Sequence, residues 1–177
     1  MSHVALFRNL NLGRPGSPTG EELVAAFGGT GLARTFQTNG TVLFRSDHPE
    51  AIVREALKAL RDNGHHHGVA VRSLTELKQV ITDVPAADPA DNIYRTMISF
   101  YDVDQVPTGD LPKRSGDELV ELRRLDLRNA VSACWKPQKT AGDTTGFLEA
   151  LLGVLVTTRT LGTLQRLVTA APKLGYQ

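Results

Sequence analysis

The chain has one cysteine in 177 residues, Cys134, which excludes an internal disulfide framework and a four-cysteine zinc site. An excess of either charge is also missing: twenty Lys+Arg stand against nineteen Asp+Glu, a formal net charge of +1. Duplex-DNA binders draw non-specific affinity from counterion release and carry a clear basic excess, so that class is disfavoured. Long apolar runs are absent as well. The longest, residues 147–156, is broken by Glu149 and is far too short to span a bilayer. The opening Met-Ser-His-Val lacks a basic stretch leading into an apolar core, which predicts no signal peptide and a cytoplasmic protein. No motif in the chain spells out a reaction.

What is present is ordinary for a globular protein, 41% hydrophobic and 22% charged, at a length suited to one domain or two small units. Residues 3–8 form an apolar run with both alternation phases filled, which predicts a central strand covered on both faces. A loop dense in Gly, Pro, Asn and Ser follows over 9–18. Thr19 can then cap a helix with Glu21 and Glu22 in its first turn and Leu23, Val24 and Phe27 inward. Residues 32–37 and 41–46 read as a hairpin around Asn39-Gly40. Ser46 or Asp47 caps an amphipathic helix with Ile52, Ala56, Leu57 and Leu60 on one face. Three histidines, a strand at 69–71 and a helix capped by Ser73 complete this half. The second half repeats the order less clearly. It offers a strand at 95–102, an irregular stretch at 103–116, a hairpin of 118–124 with 127–135, a helix at 144–152, a strand at 153–157 and a closing helix at 159–171. The expected fold class is α+β: two ferredoxin-like βαββαβ units in tandem, an internal duplication with a C-terminal helix. The first unit with its following helix takes residues 1–82, a linker 83–93, and the second unit with the C-terminal helix 94–177.

In that topology the exit loop of the first strand, the hairpin turn and the loop after the second long helix share one edge of the sheet. Arg8, Asn9, Asn11, Gly13 and Arg14, then Thr38 and Asn39, then His65, His66 and His67 converge there, beside a helix N-terminus whose free N–H groups favour an anion. The expected partner is a small anionic ligand, a nucleotide or phosphometabolite. Arg8 and Arg14 would pair with its oxygens, while Asn11, Thr38 and Asn39 orient it. No cofactor, metal or membrane is expected. An enzyme using a histidine of 65–67 as general base is the alternative, and weak nucleic-acid binding through Arg123, Arg124 and Arg128 ranks last.

Other motifs fail on mechanism. Gly29-Thr30-Gly31 leaves a helix and enters a strand, the reverse of a dinucleotide-binding turn. The loop with Gly13, Gly16 and Gly20 lacks the Gly-Lys-Ser/Thr ending of a phosphate loop. Adjacent histidines on an extended segment point to opposite faces, so His65 and His67 are the one pair that could share an ion. With no carboxylate or cysteine at ligand spacing, the run reads as a solvated loop. Cys134, flanked by Ala130, Val131 and Ala133, reads as a buried thiol rather than a nucleophile. Leu6-Phe7-Arg8-Asn9-Leu10 is superficially like the first strand of an RNA recognition motif. Phe7, however, stands one residue out of phase, and the strand at 41–46 has one aromatic, Phe44, so a base-stacking platform is missing.

The chain does resemble the bacterial family grouped as domain of unknown function 1697. Residues 4–13 follow that family's opening Val-Ala-Leu-Leu-Arg-Gly-Ile-Asn-Val-Gly, with Arg8, Asn11 and Gly13 matched. Thr35, Gly40, Val42 and Phe44 match its Thr-Tyr-Ile-Gln-Ser-Gly-Asn-Val-Val-Phe hairpin. Thr157, Thr158, Arg159 and Thr163 match its Thr-Thr-Arg-Asn-Trp-x-Thr-Val. Asn9 replaces a family glycine, Asn39-Gly40-Thr41 replaces Ser-Gly-Asn, and Thr160-Leu161 replaces Asn-Trp. The resemblance implies a duplicated α+β fold and brings no activity.

Overall fold

Every residue of the first strand, β1 (Ser2–Phe7), is buried, as the two filled alternation phases require of a strand covered on both faces. The computed structural model describes residues Met1–Gln177, a mixed α+β chain with two antiparallel sheets and five α-helices. It divides into two units, Met1–Gln79 with Arg166–Gln177, and Val80–Gln165. No helix is long and apolar enough to cross a membrane.

In the first unit β1 runs between β3 (Thr41–Arg45) and β4 (Val69–Ser73), with β2 (Ala33–Phe36) outside β3, giving the order β2-β3-β1-β4. Val4 lies opposite Leu43 on one side and Arg72 on the other. The helix α1 (Gly20–Ala26) connects β1 to β2, and α2 (Pro49–Asp62) connects β3 to β4. β1 and β2 therefore run the same way, both antiparallel to β3. Ala5 and Phe7 of β1 and Val42 and Phe44 of β3 present one sheet face to Leu23 and Phe27 and to Val53, Ala56 and Leu60 of α2. The last three recur at helical spacing, so one stripe of α2 is covered. Phe27 packs edge-on against Phe7 at 6.0 Å and tilted against Phe44 at 5.2 Å.

Local signals decide the ends of these elements. Thr19 and Glu22 form a reciprocal capping box at α1, and Ser73 with Glu76 does the same for α3 (Leu74–Thr82). The expected cap of α2 is displaced. His48 is the N-cap without a side-chain bond, Pro49 opens the helix, and Ser46 Oγ instead accepts from the His48 N–H. The hairpin turn is also longer than a two-residue Asn-Gly turn: β2 ends at Phe36, and Gln37 and Gly40 both take positive φ. The C-terminal residues are tied into this unit. Tyr176 donates its hydroxyl hydrogen to the Leu32 carbonyl at 3.3 Å, and the Gln177 N–H bonds Ser2 Oγ at 3.1 Å.

The second unit has the order β6-β7-β8-β5-β9, from β5 (Arg95–Phe100), the short β6 (Lys113–Arg114), β7 (Val120–Leu125), β8 (Asn129–Cys134) and β9 (Thr157–Thr160). With edge strand β6 set aside, β7-β8-β5-β9 has the same order as the first sheet. The βαββαβ expectation nevertheless departs here, because no helix joins β5 to β7. Pro107, Gly109 and Pro112 punctuate that connection and remove the helical option. α4 (Thr144–Leu152) ends with Gly153 in the left-handed region, so the strand expected at 153–157 begins only at Thr157. Thr160 then caps α5 (Leu161–Ala170) by accepting from the Thr163 N–H. Leu148 of α4 packs with Tyr101, Leu122, Ala130 and Val156. The Tyr101 hydroxyl reaches the carbonyls of Asp126 and Asn129.

Candidate functional site

Backbone hydrogen bonds join the three loops at one edge of the first sheet. The Phe7 N–H donates to the Gly40 carbonyl, the Arg8 N–H to Gly68 and the Leu12 N–H to Thr38, each at 2.8 Å. His67 Nδ1 lies 3.3 Å from the Arg8 carbonyl. Leu10 is buried between the polar residues and anchors the loop against Gly40, where a Cβ would stand 2.7 Å from Leu10 Cβ. Asn9 (φ +54°) and Gly13 (φ +80°) turn the chain outward. Asn9, Asn11, Gly13, Arg14 and Thr38 are exposed, whereas Arg8 and Asn39 are half-buried and already engaged. Arg14 is the exposed cation of this edge, and its own loop is closed by the Ser17 N–H donating to the Arg14 carbonyl.

The helix N-terminus contributes less than the sequence suggested. α1 has seven residues, and the Glu22 carboxylate already accepts from the Thr19 N–H at 2.7 Å. That backbone bond, and then the Thr19 side chain, hold the Glu22 carboxyl below its ordinary pKa. An external anion would meet this carboxylate first. Two clefts of the unit lie along α1. One of about 280 Å³ includes Glu22, Asn63 and His65, and a broader one includes Thr19, Gly20 and Thr35. No three His, Cys, Asp or Glu side chains come together as a metal site.

Carboxylates neutralise two of the three arginines, Arg123 and Arg128, of the second unit's basic hairpin. Arg123 pairs with Glu121 and Asp91, Arg124 bonds Asn129 Oδ1 and the Asp83 carbonyl, and Arg128 pairs with Asp102. Burial works against the Arg123 charge, but Glu121 and Asp91 outweigh it and hold its pKa above the ordinary value. Arginines occupied this way have little left for a phosphate backbone. Arg159 stands in β9, bonding Thr157 Oγ1 and the Thr158 carbonyl, and burial pulls its pKa down to about 10.

Sequence reasoning missed a cleft of about 690 Å³ where β7 begins and β8 ends, with Tyr94, Arg114, Trp135 and Lys136 on its walls. The signal was the pairing of scarce aromatics with cations, Tyr94-Arg95 and Trp135-Lys136. Behind it Cys134 is 2% exposed, its thiol directed at the Gly142 carbonyl, and burial pushes its pKa up. The native protein is therefore expected to resist an aromatic disulfide reagent at pH 8 and to release one thiol per chain after unfolding in guanidinium. Prompt native labelling would show the thiol to be open.

The fold is shared with a solved structure, described as a conserved bacterial protein SP0830 from Streptococcus pneumoniae. The two superpose with a TM-score of 0.60 at 15% identity, over 95% of this chain and 96% of that one. No curated protein matches the sequence. The profile of the proteins of unknown function DUF1697 matches residues 1–123, more than half of the chain. The chain belongs to that family.

Proposed function

We propose that the chain is a cytoplasmic binding protein for a small anionic ligand of nucleotide or phosphometabolite type. It is built as a duplication of two ferredoxin-like units, with its site on the loop edge of the first. The common order of β2-β3-β1-β4 and β7-β8-β5-β9 supports the duplication. The observation that carries the binding role is the bonding of three separate loops into one polar edge through Phe7, Arg8 and Leu12. Backbone bonds of this kind preorganise the side chains, so little ordering entropy opposes binding. Arg14 supplies the charge, Arg8 a second guanidinium at the loop base, and Asn9, Asn11, Thr38 and Asn39 the orienting hydrogen bonds, while Gly13 lets a ligand approach the backbone. Glu22 sets a limit on how far an anion can extend toward α1.

Pyrophosphate is a suitable probe because it presents the anionic oxygens alone. It is expected to raise the melting temperature of the full chain, and Arg14→Ala is expected to lose that shift while melting like the parent without ligand. Since Arg14 is exposed, its removal leaves the core untouched. An equal shift in the variant would sink the assignment.

A further inference from the structure

The cleft in the second unit is walled by a closed charge network. Glu121 is buried, and both of its oxygens are taken: Oε2 by Arg114 through Nε and Nη2 at 3.0 and 2.9 Å, and Oε1 by Arg123 Nε at 2.8 Å. Arg114 also reaches Glu118 and Arg123 reaches Asp91, at 3.2 and 3.1 Å. Two guanidiniums are thus fully engaged by three carboxylates, which leaves the network one negative charge in excess. The Arg114 guanidinium lies over the Trp135 ring, 5.4 Å from its centre, and Trp135 Nε1–H donates to the Asp91 carbonyl at 3.0 Å. The indole is fixed by its edge and one face before any ligand arrives.

The rest of the lining is charged differently. Tyr94 is 43% exposed, with the Arg95 guanidinium 4.7 Å and the Lys136 ammonium 5.3 Å from its ring centre. Neither cation has a carboxylate partner, in contrast to Arg114 and Arg123. The cleft therefore combines two aromatic side chains with a lining cation, Lys136, that no carboxylate pairs, in a volume of about 690 Å³, within the usual range for small-molecule sites. Aromatic side chains accept any planar ring, and an unpaired ammonium beside them selects a ring that carries an anion.

We propose that this cleft is a second ligand site, separate from the first-unit edge, and that it takes a nucleoside monophosphate. The base lies against Trp135 and Tyr94, and the phosphate takes Lys136.

Trp135 is the one tryptophan in the chain, so its emission reports on the cleft alone. AMP added to the full chain is expected to change that emission saturably. Adenosine and inorganic phosphate, each supplying half of the chemistry, are expected to need at least about tenfold higher concentration. Lys136→Ala is expected to weaken AMP about tenfold and leave adenosine unchanged. Lys136 is exposed, and an unchanged far-UV circular dichroism spectrum checks that the fold survives. The AMP response is expected to persist in Arg14→Ala, which separates this site from the first. No saturable response to AMP in the parent, or equal affinity in Lys136→Ala, overturns the site. Equal affinity for adenosine and AMP overturns its anionic half. Loss of the response in Arg14→Ala overturns its independence.

Discussion

Replacing Phe27 by alanine is expected to cost about 4 kcal/mol of stability, the middle of the range for large aromatic truncations in a core. Phe27 is 1% exposed and joins the sheet to α1, touching Phe7 edge-on and Phe44 at a tilt. Both ring pairs vanish together, and the cavity opens beneath a seven-residue helix that is too short to be helical without tertiary packing. Leu23 and Phe27 are the pins that hold α1 down. Chemical denaturation would measure the change as a fall in the midpoint at constant slope. Phe27→Leu retains most of the apolar area and is expected to cost about 1.5 kcal/mol. A loss below about 1 kcal/mol for the alanine variant would mean that α1 re-docks through Leu23 alone.

Much of the fold was legible because local and long-range signals agree in the first unit. Thr19 and Glu22 mark a helix start, Ala56 and Leu60 mark its neighbour's buried stripe (Val53 completes it, while the expected Ile52 and Leu57 are partly buried at its margin), and both phases of β1 are apolar. The second unit is harder to read where the chain leaves regular structure. Nothing in residues 101–112 is periodic, and whether that segment holds a helix depends on Pro107, Gly109 and Pro112 rather than on apolar spacing. Strand β9 was misplaced because Val154 and Val156 suit a strand, yet Gly153 turns left-handed and the Val156 N–H bonds the Glu149 carboxylate instead of a neighbouring strand. The loop edge was legible as a place, since topology alone brings strand exit and hairpin turn together. Its electrostatics were not, because the sequence places Glu22 in the first turn without showing that its carboxylate already occupies the Thr19 N–H an anion would need. The arginines at 123, 124 and 128 looked like a basic patch because sequence distance hides Asp91 and Asp102, 32 and 26 residues away from Arg123 and Arg128.

Gly40→Ala is expected to cost about 3 kcal/mol, from a left-handed backbone joined to a steric clash. Gly40 has φ +65°, and a Cβ there meets Leu10 Cβ at 2.7 Å and Phe7 Cβ at 3.0 Å. Both neighbours are Cβ atoms, fixed to their backbones, so no rotamer change relieves the contact. Gly13 supplies the comparison: its φ is +80°, but a Cβ there meets nothing within 4 Å. Gly13→Ala should therefore show the backbone term alone, about 1 kcal/mol. The difference between the two variants isolates the packing of the hairpin turn on β1 and Leu10. Adding Leu10→Ala to Gly40→Ala is expected to give back little, because alanine keeps the Cβ that blocks the way. Equal costs for the two glycine variants would show that the Arg8-to-Arg14 loop lifts off freely. In that case the edge would not be preorganised, and the argument that Arg14 and its neighbours are held ready for a ligand would fall with it.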